Sequence, residues 1–193
     1  MEDVVRRSRG TILGGDGFRQ VLDHVREDYV ANGSSLSRPG FRAMAMHRFG
    51  TYARTVPSPL VRWVLERLHR IGSHWVRNHY GIELYATTVI GRRCTIAHQS
   101  GIVIHPFARI GDDCKIRQCV TIGQTSGSAH REGVPVIGDR VEIGAGAVIV
   151  GPVSVGDDVV IGPNAVVLRD VPGGVWVASP PAKMLAASRS ECA

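Results

Sequence analysis

Residues 136–168 read VIGDRVEIGAGAVIVGPVSVGDDVVIGPNAVVL, and Ile137, Ile143, Ile149, Val155, Ile161 and Val167 repeat in them at intervals of six. Glycine follows the apolar mark at Gly138, Gly144, Gly156 and Gly162, and a small residue comes four positions after it at Ala147 and Ala165. A fixed period of this kind signals a solenoid, in which each short unit buries its apolar side only by stacking on its neighbours. Reading outward toward the N-terminus, the same marks appear at Leu84, Ile90, Ile96 and Ile102, then at Ile104, Ile110, Ile116 and Ile122. Gly91, Gly111 and Gly123 follow them, and Thr88, Cys94 and Val120 take the small or β-branched position. The repeat therefore runs in three phased stretches, with a two-residue slip at 102–104 and an interruption at 123–136.

One hexapeptide per side makes a triangular coil. The apolar mark and the small residue point inward, and glycine is expected to relax the backbone near each corner. About four coils fit between Leu84 and Pro172. The interruption, GQTSGSAHREGVPV, is polar and glycine-rich, which predicts an exposed loop thrown out of the stack, the kind of segment in which function concentrates.

Residues 1–80 have a different texture. FRQVLDHVREDYV follows Asp16, a possible N-cap, and ends at Asn32-Gly33, a C-terminal stop. FRAMAMHRFGTYAR starts after Pro39-Gly40, and LVRWVLERLHRIGSHWVRN after Pro57-Ser58-Pro59. In the last of these Val61, Val64, Leu65, Leu68 and Ile71 recur at helical spacing with arginines between them, so the reading is a packed apolar face opposite a solvated basic one. The expected organisation is a helical region at 1–80, a β-helix at 81–175 and a tail at 176–193.

The composition is that of a folded globular chain, 44% apolar and 21% charged. A net charge of +6 favours a polyanionic partner, but the arginines form no continuous block and accompany no nucleic-acid motif, so no nucleic-acid role is expected. No apolar run is long enough for a signal-peptide core or a bilayer span, and a cytoplasmic location with no integral membrane segment follows as the expectation. Cys94, Cys114, Cys119 and Cys192 show no metal or disulfide spacing and read as reduced, mostly buried thiols.

The stretches GIELYATTVIGRRCTIAHQSGIVI, IRQCVTIG and PVIGDRVEIGAGAVIVGPVSVGDDVVIGPNAVVLRDVP, followed by SPPAKML, resemble the hexapeptide-repeat acyltransferases. Within them the likeness is to the serine acetyltransferases and the related O-acetyltransferases of polysaccharide biosynthesis, over residues 81 to about 185. The resemblance implies a left-handed parallel β-helix with a short N-terminal α-helical domain. It also implies a homotrimer with active sites at subunit boundaries, acetyl-CoA as co-substrate and no metal. His98, in IAHQSGIVI, matches the catalytic histidine, and Glu83, fifteen positions earlier, the acidic residue that holds its other ring nitrogen. Histidine suits the task, because an attacking hydroxyl must lose its proton near neutral pH. Gly123, Gly144, Ala145 and Ala165 match positions lining the CoA groove, and Lys183 a basic residue for the cofactor phosphates.

Two departures bear on the acceptor. Ala97 stands where serine acetyltransferases carry an acidic residue before the histidine, and Gly133-Val134 stand where they carry an arginine-histidine pair, leaving His130 and Arg131 in the same loop as shifted substitutes. Without partners for both ends of a zwitterion, a site binds it poorly. The expected acceptor is therefore a sugar or glycan-precursor hydroxyl, with L-serine or a serine derivative as the alternative. The chain ends SECA rather than in the family's isoleucine tail, so no cysteine-synthase complex is expected. Two other classes use such coils: a zinc carbonic anhydrase, for which His98, His105 and His130 would be the ligands, and a scaffold without chemistry.

Overall fold

The computed structural model describes residues 17–125 and 133–183. Three helices come first: α1 (Gly17–Ala31), α2 (Pro39–Thr55) and α3 (Pro59–Tyr80). Prolines open α2 and α3, where a missing N–H costs nothing. Gly81 closes α3 in the left-handed conformation, its N–H donating to the Arg77 carbonyl at 2.9 Å.

The rest is a parallel β-helix of hexapeptide coils with three flat flanks. The first flank stacks β1 (Ile82–Glu83), β4 (Ile102–Ile104), β7 (Thr121–Gly123), β10 (Val148–Val150) and β13 (Val166–Val167). The second stacks β2 (Val89–Ile90), β5 (Arg109–Ile110), β8 (Val136–Ile137) and β11 (Ser154–Val155). The third stacks β3 (Thr95–Ala97), β6 (Lys115–Arg117), β9 (Glu142–Ile143), β12 (Val160–Ile161) and β14 (Trp176–Val177). Every pairing is parallel and in register, Ile96 on Ile116 on Ile143 on Ile161, so like-positioned residues of successive coils stack into interior columns. Burying each such side chain contributes roughly 1.5–3 kcal/mol.

The slip is displaced from where the repeat alone puts it. Ile82 pairs with Ile102 and Ile104 with Ile122. Continuing that register puts Ile104 in the apolar column with Leu84, Ile122, Ile149 and Val167, and Ile102 in the small-residue column with Ile82, Val120, Ala147 and Ala165. Eight residues, not six, then separate the in-phase marks Ile96 and Ile104. The two extra ones lie in the corner between β3 and β4, which contains His98.

The repeat glycines also have a different reason from the one expected. The left-handed corners lie two residues after the position those glycines take, and Arg93, Asp113, Cys119, Arg140, Asp158 and Asn164 hold most of them at φ of 55–59°, with Gly146 and Gly174 at the same position in theirs. A Cβ on Gly91, Gly111 or Gly138 would instead overlap the carboxylate of Asp112, Asp139 or Asp157 in the next coil. Those carboxylates accept the backbone N–H of Arg92, Asp112 and Asp139 at 2.8–2.9 Å, a ladder running up the corner. Glycine is there for close coil-to-coil approach.

The helices share the β-helix core through Ala43, Met44, Val76 and Tyr80. Asn32, beyond its expected stop role, joins α1 to the third flank: its amide donates to the carbonyls of Asp28 and Cys94 and accepts the Ile96 N–H. Arg48 is buried, pairs with buried Asp28 at 2.8 Å, and donates to the Ile90 carbonyl at 2.7 Å and to that of Gly91. Burial pushes the Asp28 carboxyl up against the opposing pull of the Arg48 guanidinium. Cys94 and Cys114 are buried free thiols, Cys119 is exposed, and Cys192 lies outside the described residues.

The reading of α3 is overturned. Val76 and Tyr80 pack inward, whereas of the stripe assigned to the core Leu65 is half-buried and Val61, Val64, Leu68 and Ile71 face out together with Leu60, Trp63 and Trp75. Gly72 and His69 explain the rotation: α3 approaches α2 through Gly72 on Met46 and through His69 on Gly50, contacts possible only where one partner has no side chain.

Candidate functional site

His98 sits at the apex of the eight-residue corner with φ +68°, and Ser100 and Gly101 follow at +94° and +68°. A non-glycine residue in this region is uncommon, histidine being among the more tolerant, and such strain gathers at working sites. The bulge is clamped from both sides. Gly81 packs above it, with its missing Cβ 3.0 Å from the Ser100 Cα, and Cys119 below, its N–H donating to the Ser100 carbonyl at 2.9 Å. The ordinary six-residue corners beneath hold their side chains along the prism edge. Two extra residues push His98 out of that edge, and it is exposed.

Register places Arg117 beside Ala97, and hence Gln118 on the corner below His98. The sequence reading passed over both. Among the described residues Gln118 Oε1 is buried without a hydrogen-bond partner, and the ion-pair partner of Arg117 is Glu142, at 4.0 Å. An isolated Arg-Gln pair carries no signal in sequence; only the coil register brings it to the histidine corner. Gly144 and Ala145 continue the same edge one coil further on. Gly123 lies at the other margin of the first flank, where the chain leaves for the interruption. Ala165 is buried, its methyl in the interior column, so only its backbone could meet a ligand. Lys183 is exposed. His130 and Arg131 lie outside the described residues.

Glu83 projects from the first flank beside Val103. Among the described residues its hydrogen-bond donor is the Tyr85 hydroxyl, and no hydrogen bond joins it to His98. That bond, then burial, raises the Tyr85 hydroxyl above the ordinary tyrosine range, with the Arg77 charge opposing. Both residues line a cleft of about 410 Å³ between the helices and the first coil, which also takes in Arg54, Arg70, Arg77 and His69. No ion pair engages Arg54, Arg70 or Arg77 among the described residues. Burial and the nearby Arg54 charge hold His69 below the usual histidine range, so it stays neutral. Three guanidiniums that make no ion pair among the described residues stand there with two carboxylates, Glu66 and Glu83, so the cleft carries a net positive charge that suits an anionic group.

His105 is committed elsewhere: its Nδ1 accepts the Phe107 N–H at 3.2 Å, as a local turn does. No helix among the described residues is long and apolar enough to cross a membrane.

Comparison with known proteins agrees with this architecture. The model for bacterial transferase hexapeptide (six repeats) matches residues 135–169. A serine acetyltransferase of Synechocystis is 41% identical over 150 residues, 76% of this chain and 56% of the relative. One from Mycobacterium tuberculosis is 36% identical over 78% of the chain and 62% of the relative. Among solved structures, serine acetyltransferase isoform 3 of Entamoeba histolytica in complex with cysteine superposes with a TM-score of 0.71 at 26% identity, covering 90% of this chain and 64% of that one. The soybean serine acetyltransferase complexed with serine gives 0.70 at 27%, over 86% and 69%. The chain thus spans about three fifths of the length of these two curated relatives. In repeat, coil architecture and sequence, it belongs to the hexapeptide-repeat transferases of the serine acetyltransferase family.

Proposed function

We propose that this chain is an acetyl-CoA-dependent O-acetyltransferase whose acceptor is the hydroxyl of L-serine or a serine derivative. The observation that carries the reading is the 41% identity, over three quarters of the chain, to a protein named serine acetyltransferase. This reverses the order of acceptors drawn from Ala97 and the loop, which put a sugar first. The cleft beside Glu83 supports the reversal: its three guanidiniums outnumber the carboxylates of Glu66 and Glu83, an excess of positive charge that a neutral sugar has no use for and a carboxylate does.

In the proposed reaction His98 removes the acceptor hydroxyl proton as the oxygen attacks the thioester carbonyl. The C–S bond then breaks, and the imidazolium returns the proton to the departing CoA sulfur. No covalent acyl-enzyme is needed. Glu83 holds the other imidazole nitrogen and stabilises the imidazolium, in the way that the third member of a catalytic triad does. A carboxylate offers about four lone-pair sites, so a bond from Tyr85 leaves room for one to histidine. Gly123, Gly144, Ala145 and the Ala165 backbone line the CoA path, Lys183 meets its phosphates, and Ala97, His130 and Arg131 border the acceptor.

Free CoA release, measured with acetyl-CoA against L-serine, L-serine methyl ester and N-acetylated amino sugars, tests the reading. Turnover of L-serine that Arg77→Gln weakens mainly through KM supports it. Turnover confined to the sugars overturns the serine acceptor and restores the glycan reading.

A further inference from the structure

The cleft beside Glu83 has two ends, each marked by the groups that act on it. At the near end the Glu83 carboxylate accepts the Tyr85 hydroxyl and raises it, and the Arg77 charge opposes that rise. At the far end burial and the Arg54 charge keep His69 neutral, with Glu66 opposing. The His69 Nε2 is hydrogen-bonded to Ser73 Oγ at 2.9 Å, and its ring fills the space that a side chain on Gly50 would need. Glu66, Arg70, Ser73 and Arg77 follow one another along α3 at steps of four, three and four, so they share the face that lines the cleft.

Helix rise sets the scale. The Arg77 carbonyl accepts the Gly81 N–H, and Gly81 rests on Ser100, so the near end adjoins the His98 corner. Measured along α3, Arg77 precedes Gly81 by about 6 Å and Arg70 precedes it by about 16.5 Å. Free L-serine is a single residue, about 3.6 Å of extended chain. With its hydroxyl at His98 it can meet Arg77 and stops well short of Arg70 and Arg54. Charge is divided in the same way. Arg77 and Glu83 balance at the near end, whereas Arg54 and Arg70 stand with Glu66 alone at the far end, and neither makes an ion pair among the described residues. A cleft of about 410 Å³ is also of the size that takes ligands much larger than serine.

We propose that the far end is a second anion subsite and that the acceptor is a serine derivative carrying a second anionic group, a carboxylate or a phosphate, roughly 10 Å from the first. This deepens the serine reading of the site and rests on it. Arg54 and Arg70 take the distal anion through paired N–H donors, a geometry that suits both groups. A neutral His69 that donates its Nε2–H to Ser73 Oγ leaves the Ser73 O–H free to donate to the same anion.

CoA release with N-glutaryl-L-serine, N-(4-phosphonobutanoyl)-L-serine and their uncharged match N-pentanoyl-L-serine, beside free L-serine and N-acetylglucosamine, tests this. The expected result is a kcat/KM for one charged acceptor at least about tenfold above that of the pentanoyl compound, expressed mainly in KM. Whichever of the glutaryl and phosphonobutanoyl compounds is preferred identifies the distal group. In Arg54→Gln/Arg70→Gln the charged-to-uncharged ratio should fall to near one, with Tm unchanged because both side chains are exposed. In Arg77→Gln the ratio should persist while all the serine acceptors weaken together. Serine turnover with no advantage for the charged acceptors, or an advantage that survives the double variant, overturns the distal subsite and leaves the serine acceptor standing. Turnover of N-acetylglucosamine and of none of the serine compounds overturns the serine acceptor, and this proposal with it.

Discussion

His47 should make this fold acid-sensitive in a window set by one proton. It is buried, its Nε2 donates to the Thr88 carbonyl at 3.0 Å, and its Nδ1 has no partner. Burial, with the Arg48 charge beside it, lowers its pKa to about 3. Folded His47 therefore stays neutral where unfolded His47, with a pKa of about 6.5, takes up a proton. Stability attributable to this residue is complete above about pH 6.5 and falls by about 1.4 kcal/mol per pH unit until the folded-state pKa is reached. Between pH 7 and pH 5 the loss is about 2 kcal/mol, and for a chain of this size that is a fall in Tm of roughly 4–8 °C. His24 and His69, half-buried and also lowered, add to the same limb, so the assay is a difference. Thermal unfolding is followed from pH 5 to 7.5 for the wild type and for His47→Gln, whose amide N–H can keep the bond to Thr88. The variant should lose about 2 kcal/mol less on acidification. Parallel curves for the two proteins would refute a neutral buried His47.

Three further outcomes follow from the geometry. Arg48→Met leaves the Asp28 charge buried without its partner and the Ile90 and Gly91 carbonyls short of a donor, and should destabilise by about 3–5 kcal/mol; adding Asp28→Leu should restore part of this in urea unfolding. Gly40→Ala puts a methyl into the Ile96 carbonyl oxygen where α2 meets β3, and should cost about 1–3 kcal/mol by the same measurement. His98→Asn keeps a residue that tolerates left-handed backbone while removing the base, so CoA release should fall about 10²- to 10⁴-fold at unchanged Tm.

The coils were legible because each interior column is set by one residue in six, and a chain that keeps that period through Ile137, Ile143, Ile149, Val155 and Ile161 has few other ways to bury it. The helix ends were legible for the same local reason, proline at Pro39 and Pro59 and the Asn32-Gly33 stop after the first helix. What periodicity could not supply was which side of a helix or corner meets what. The α3 stripe has the spacing of a core face, and only the close approach of Gly72 to Met46 turns it outward. Ile102 fits the apolar column by counting six from Ile96, and only the pairing with Ile82 moves it to the other column. His98 was found by the residues around it, but its backbone strain and its neighbour Gln118 come from stacking across twenty residues, which no local pattern records.

One junction ties these surprises together. Gly81 ends α3, its carbonyl accepts the Ile102 N–H at 3.0 Å, and its open Cα rests on Ser100 in the bulged corner. The last turn of the helix is thus bonded directly to the strand that leaves the His98 corner, with no intervening loop to absorb movement. A shift of α3 by even a fraction of an ångström has to pass into Ser100, because the other side of the corner is blocked by Cys119 and close-packed coils deform little. The same helix carries Arg70 and Arg77 on the side that lines the cleft with Glu83, and the exposed apolar stripe elsewhere on its surface. Whatever holds α3 in place therefore also fixes the height of the His98 corner and the Arg70 and Arg77 side of the cleft.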